Sequence, residues 1–299
     1  SETITFISAR HAIKSVGFLS RLLRKIKDER NESLVKLNGT FGDSLTLARY
    51  YVEPNCQDVN PADEDEDSAI TSVRNGAFIY INRFFNRGFL TGDGANQLFI
   101  LADAGMGKTS LLVMLKLMHL MSFWPKKINC ELLKLGNSTV EDIKKIKDVS
   151  NTILLLDSLD EDPMAMGGKT NRRLESLLKL TSKFYRVVVT CRTQFFPEAK
   201  ESEFGKKGKV VISSFTCPLL YLSLFDETQV EKYLRLRFGN YFQRKFKFIQ
   251  SSKIKEAKKA ILNMHSFRFR PFLLAHIEDV IETLKRNSAT EFDVYQGLV

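Results

Sequence analysis

Lys108, Thr109, Asp157, Asp160 and Glu161 are the residues whose types and spacing could do chemistry together. Lys108 and Thr109 close the run Ala102-Asp103-Ala104-Gly105-Met106-Gly107-Lys108-Thr109, a phosphate-loop pattern with one departure, Ala102 in place of the usual first glycine. Such a turn gathers successive backbone N–H groups into one concavity, and the following helix adds the positive end of its dipole. Gly105 and Gly107 let the backbone approach phosphate without a Cβ in the way, Lys108 can reach the β- and γ-phosphates, and the Thr109 hydroxyl is a ligand for Mg²⁺. The loop and its exit, Ala104 to Ser110, are therefore the expected nucleotide-binding residues.

Farther along, Ile153-Leu154-Leu155-Leu156-Asp157 is an apolar run ending in an acid, followed by Ser158-Leu159-Asp160-Glu161. Beside a phosphate loop, an acid in this place would hold Mg²⁺ through water, which assigns Asp157 with Thr109 to the metal. Asp160 and Glu161 can orient or deprotonate an attacking water, with Asp160 expected to act as the base. Asp162 makes the cluster more acidic, which favours a bound metal to neutralise it.

These residues need a scaffold that sets them side by side. From Gln97 onward the pattern alternates: apolar strands at 97–103, 128–135, 152–157 and 186–190, and helices at 108–122, 140–146 and 171–181. Continuous apolar strands separated by helices predict a parallel sheet covered on both faces. Beyond about Asp226 only helical spacing remains, over 229–238, 253–263, 271–285 and 291–299. Ahead of the sheet, 6–30 reads as a basic amphipathic helix, 55–68, with its acidic run 63–67, as a solvated loop and 70–85 as a second helix. The expected division is a helical region over 1–90, an α/β core over 91–225 and a helical appendage over 226–299.

Composition narrows the class. The chain has 299 residues, 43% hydrophobic and 27% charged, which is ordinary globular usage and excludes a collagen-like or disordered chain. Its cysteines, Cys56, Cys130, Cys191 and Cys217, form no CxxC pair, so reduced thiols and a cytoplasmic location are expected rather than zinc or a disulfide framework. Leu111 to Trp124 is the most apolar helical stretch, but it contains Lys116 and His119 and is too short to span a bilayer, so no membrane role is expected. The net charge is +10. Lysines and arginines between Lys232 and Lys259 interleave with Tyr233, Phe238, Tyr241, Phe242, Phe246 and Phe248. That mixture suits nucleic acid, though the helical spacing of the aromatics suits core packing better.

The phosphate loop with Ser110-Leu111-Leu112 after it, and the pattern acid, small, apolar, acid, acid over Asp157–Glu161, resemble the NACHT class of STAND ATPases, nucleotide-controlled assembly switches. Three weaker matches join them. Val189-Thr190-Cys191-Arg192 lies where that family places a sensor arginine near the γ-phosphate. Arg270-Pro271-Phe272-Leu273-Leu274 resembles its helix start, whose proline lies against adenine, and Tyr50-Tyr51-Val52-Glu53-Pro54 resembles a segment that helps wall the adenine pocket. The resemblance runs from about residue 45 to the end and departs at Ala102 and at Arg270, where a small residue is frequent.

The resemblance implies a P-loop NTPase sheet of AAA+/STAND type with a helical lid. It implies ATP or ADP with Mg²⁺, slow hydrolysis, Arg192 near the γ-phosphate, Pro271, Val52 and Pro54 around adenine, self-association on activation, and in bacteria a place in anti-phage defence. Since that family continues into further domains, a fragment of a longer protein is the expectation. Taken alone, Arg192 could be a surface ion-pair residue and Pro271 a first-turn helix proline. A nucleic-acid-dependent ATPase is the alternative. A small-molecule kinase lacks an acceptor site in the sequence, and a GTPase lacks an Asn-Lys-x-Asp segment.

Overall fold

The computed structural model describes residues 28–60, 74–121, 128–196, 208–239, 252–262 and 269–285. The expected basic helix over 6–30, save its last three residues, the acidic run 63–67 and the terminal helix 291–299 lie outside them. In chain order the described elements begin with α1 (Asp28–Phe41), α2 (Ser44–Tyr50), β1 (Asn55–Gln57), β2 (Asn75–Gly76) and α3 (Ala77–Arg87). They continue with β3 (Gln97–Leu101), α4 (Lys108–Met121), β4 (Asn129–Lys134), α5 (Thr139–Lys144), β5 (Thr152–Asp157), α6 (Thr170–Thr181) and β6 (Arg186–Cys191). The last are β7 (Lys209–Ile212), β8 (Phe215–Leu222), α7 (Glu227–Phe238), α8 (Ser252–Leu262), α9 (Pro271–Ala275) and α10 (Ile277–Lys285).

The strands form one sheet in the order β2-β1-β8-β3-β6-β5-β4, with β7 paired to β8. From β8 to β4 all neighbours are parallel; β1, β2 and β7 add antiparallel pairs at one side. The side-chain period of two divides each strand between the two faces. Leu98, Ile100, Ile153, Leu155, Val188 and Leu220 pack with α1, α3 and α4 on one face, while Phe99, Leu101, Leu154, Leu156, Val187 and Val189 pack with α6 and β7 on the other. Burial on both faces is why these strands read as unbroken apolar runs. A third cluster joins Val230, Leu234, Ile254, Ile261, Leu274 and Val280 in the helical appendage, and Val52 reaches into it.

Three differences from the sequence expectation have local causes. The central strand β8 and its partner β7 escape a helix–strand alternation because they form a hairpin, turning at Ser213 in the left-handed region (φ 53°). Residues 55–57, expected in the solvated loop, and 75–76, expected in the second helix, instead extend the core sheet beside β8. The helix expected over 271–285 breaks at His276, which sits between α9 and α10 with φ −104° and ψ 22°.

The segment 51–57 straps core to appendage. Glu53 is buried and its carboxylate accepts from the Phe78 N–H at 2.8 Å, serving the N-terminus of α3, where Gly76 has no side chain to offer. Its carbonyl accepts from Gln229 Nε2 at 2.6 Å, and Gln229 completes a capping box with Asp226 at the start of α7.

Candidate functional site

All the candidate residues sit at one edge, beyond the carboxyl ends of the parallel strands, where ligands bind in open α/β sheets. The loop 102–109 leaves β3 and enters α4, with Leu111 N–H donating to Gly107 O at 2.9 Å. Gly105 (φ +75°) and Gly107 (φ +82°) occupy the left-handed region that a side chain resists. Lys108 is nearly buried and donates from Nζ to Ala102 O at 2.8 Å and Asp103 O at 3.0 Å, closing the loop on itself. Burial pulls its pKa down, with the charge of Asp160 opposing. Ala102, the sequence departure, is 3% exposed and belongs to the core.

Asp157 ends β5, two strands from the loop, with β6 between. The gap is bridged by hydroxyls: Thr109 Oγ1 donates to Asp157 Oδ2 at 2.8 Å and Thr190 Oγ1, on β6, to Oδ1 at 2.8 Å. Thr190 also accepts from the Ser158 N–H at 3.0 Å, steadying Ser158 at φ 60°. Thr190 is a residue that sequence reasoning missed; its signal is a lone polar side chain inside an apolar strand. The paired hydroxyl and carboxylate are hard oxygen donors of the kind Mg²⁺ takes while it keeps water and phosphate as its other ligands. They therefore fit the expected metal, although among the described residues no three His, Cys, Asp or Glu side chains converge.

Burial, opposed by these hydrogen bonds, raises the Asp157 pKa above the usual carboxylate value. The folded protein then holds this proton more tightly than the unfolded chain, so stability falls as pH rises from the ordinary carboxylate range through the raised value. Asp157→Asn is expected to raise the melting temperature of nucleotide-free protein at pH 7 and to lose that advantage as the pH approaches 4. A melting curve at each pH checks both halves.

The other acids are met by cations. Asp160 is 3% exposed in its side chain; Arg192 contacts one carboxylate oxygen through Nε at 2.8 Å and the other through its backbone N–H at 3.0 Å. Glu161 pairs with Lys134, at the end of β4, at 3.0 Å where both are half exposed. The expectation that Asp162 adds to an unneutralised cluster is corrected: it is fully buried, pairs with Arg173 Nε at 2.7 Å and accepts from Met164 N–H. Its role is structural. Arg173→Met would leave that carboxylate buried without its cation and should cost about 3–5 kcal/mol, read as a lower urea midpoint. Cys191, beside Lys108 and Asp160, has its pKa pushed up by burial to about 12, so it remains a thiol.

Next to the loop opens a cavity of about 230 Å³. Tyr51, Val52 and Pro54 of the strap form one wall, with Leu47 and Tyr50 of α2. Met106, Gly107 and Ser110 bring the loop to it, and Phe225, Tyr233, Pro271 and Ala275 close it from the appendage. At its mouth the Arg237 guanidinium lies 4.8 Å from the Tyr50 ring centroid and pairs with Glu278. The structure thus brings Val52, Pro54, Ser110 and Pro271 to one cavity, and Lys108, Thr109, Asp157, Asp160 and Arg192 to its loop side. Ala104 faces the appendage, its carbonyl accepting from Arg270 Nη1 at 2.7 Å. The cavity is mostly apolar and smaller than the ~300–1,000 Å³ of whole-ligand pockets, so it suits the uncharged end of a ligand whose phosphates lie on the loop.

Among the described residues no helix is long and apolar enough to cross a membrane. No protein-family model matches the chain, nor does any curated protein. Among solved structures it is similar to the Thermotoga maritima RuvB Holliday junction branch migration motor, at 14% identity and a TM-score of 0.33, over 68% of this chain and 61% of that one. Two substituted forms of that motor are similar at 12% identity, with TM-scores of 0.33 and 0.32. The chain spans 61% of the motor's length. By its own topology the fold is α/β: a mostly parallel sheet of P-loop NTPase type, with helices on both faces and a helical lid after it.

Proposed function

We propose that this chain is an ATP-binding, slowly hydrolysing switch of the NACHT/STAND class that controls the assembly of a larger protein, in bacteria as part of defence against phage. One observation carries the reading: the cavity beside the phosphate loop is walled jointly by strap, core and lid. A nucleotide there touches both bodies, so it can bias their relative angle, provided that it binds the two arrangements unequally. Phosphates would lie on Gly105–Lys108 and adenine between Val52, Pro54 and Pro271, and Thr109 and Asp157 would hold Mg²⁺. The metal supplies charge neutralisation of the phosphates. Asp160 orients or deprotonates the attacking water, and Arg192, which pairs with Asp160, exchanges that carboxylate for a γ-phosphate.

The test is to denature purified protein and identify the released nucleotide by ion-exchange chromatography. Stoichiometric ADP is the expected result for a closed resting switch. An empty site that fails to bind ATP or ADP in titration would remove the assignment. The alternative, a nucleic-acid-dependent ATPase, is favoured by Lys253, Lys255 and Lys259, exposed along α8. It requires turnover raised severalfold by DNA or RNA with steep salt dependence, and a flat response at low salt removes it.

A further inference from the structure

Four successive carbonyls of the phosphate loop each accept a hydrogen bond. Lys108 Nζ takes those of Ala102 and Asp103. The next two are taken by the lid: Arg270 Nη1 donates to Ala104 O at 2.7 Å and the Phe272 N–H to Gly105 O at 3.0 Å. The seating is close, since a Cβ added to Gly105 would lie 2.9 Å from Phe272 Cβ. Arg270 also approaches Asp103 Oδ2 at 3.6 Å, a rim contact of little energy because Asp103 is largely exposed.

A trans peptide is planar, and its C=O and N–H point in opposite directions. A carbonyl drawn toward the lid therefore turns the N–H of the next residue away from it. Holding Ala104 O and Gly105 O aims the amides of Gly105 and Met106 to the opposite side of the loop. We infer that Arg270 is a positioning residue for phosphate: from behind the loop it fixes the direction of the Gly105 amide, as the Phe272 N–H fixes that of Met106, so that a seated lid is a condition of tight phosphate binding. The inference rests on the nucleotide reading above and gives that site its coupling. Reciprocity follows, because a lid that tightens phosphate binding is itself held by bound phosphate. Phe272 contributes through its backbone, so Arg270 is where a side-chain change reads the effect.

The experiment compares ADP, ATP and adenosine on wild type, Arg270→Ala and Arg270→Lys by competition titration. Arg270→Ala should weaken ADP and ATP alike by about 10–100-fold, the loss expected for one charged hydrogen bond, and leave adenosine within about twofold. Arg270→Lys, which keeps a donor for Ala104 O, should recover part of the loss and serves also where the alanine variant folds poorly. Equal weakening of ADP and adenosine would make Arg270 a pocket or folding residue and overturn the inference, as would unchanged affinities. Loss for ATP alone would place Arg270 on the terminal phosphate and also overturn it. A wild type that binds none of the three instead sinks the nucleotide reading itself.

Discussion

Lys108→Ala is expected to reduce ADP and ATP affinity by at least on the order of 10²–10³-fold. Removing the ammonium deletes charge-assisted hydrogen bonds to phosphate, each contributing about 1.5–3 kcal/mol, and every 1.4 kcal/mol is tenfold. It also deletes the donor to Ala102 O and Asp103 O, which keeps the loop closed. Loss of binding must be told apart from loss of fold: the nucleotide-free variant should still melt in a single transition, while the rise in melting temperature on adding ADP should vanish. Unchanged binding would remove Lys108 from the site and the assignment with it.

Asp160→Asn is expected to leave ADP affinity within a few-fold and to slow hydrolysis by about 10²–10⁴-fold, the usual share of a positioned acid–base group. Asparagine keeps the oxygen that accepts the Arg192 N–H and loses the charge that Arg192 Nε meets at 2.8 Å. Glu161 lies differently, half exposed on Lys134 and free of the Arg192 contact. Glu161→Gln should therefore slow turnover less. Single-turnover rates at saturating ATP compare the two directly. If Glu161→Gln stops hydrolysis while Asp160→Asn does not, the roles are exchanged and the Arg192–Asp160 pair is structural.

The phosphate loop, the acid at the end of β5 and the order of the core elements were legible from residue types alone. Each is a local pattern: glycines where backbone must turn left-handed, and an apolar run where both faces are buried. The hairpin of β7 and β8 was not legible, because its turn, Ser213-Ser214, carries none of the glycine, asparagine or aspartate that marks a two-residue hairpin. Nor were the partners of the acids. Asp160, Glu161 and Asp162 are consecutive, yet they meet Arg192, Lys134 and Arg173 on three other elements. Spacing along the chain therefore could not tell a catalytic carboxylate from a structural one. Thr190 belongs to the same group, since it reaches Asp157 only because β6 lies between β3 and β5.

Local chemistry in the chain thus specified which groups can bind phosphate and metal, since backbone freedom and side-chain type are properties of residues. Which charge is left for chemistry, and how the lid grips the loop through Arg270 and Phe272, were decided by tertiary packing, since hydrogen bonds and ion pairs act only over a few ångströms between atoms that folding has brought together.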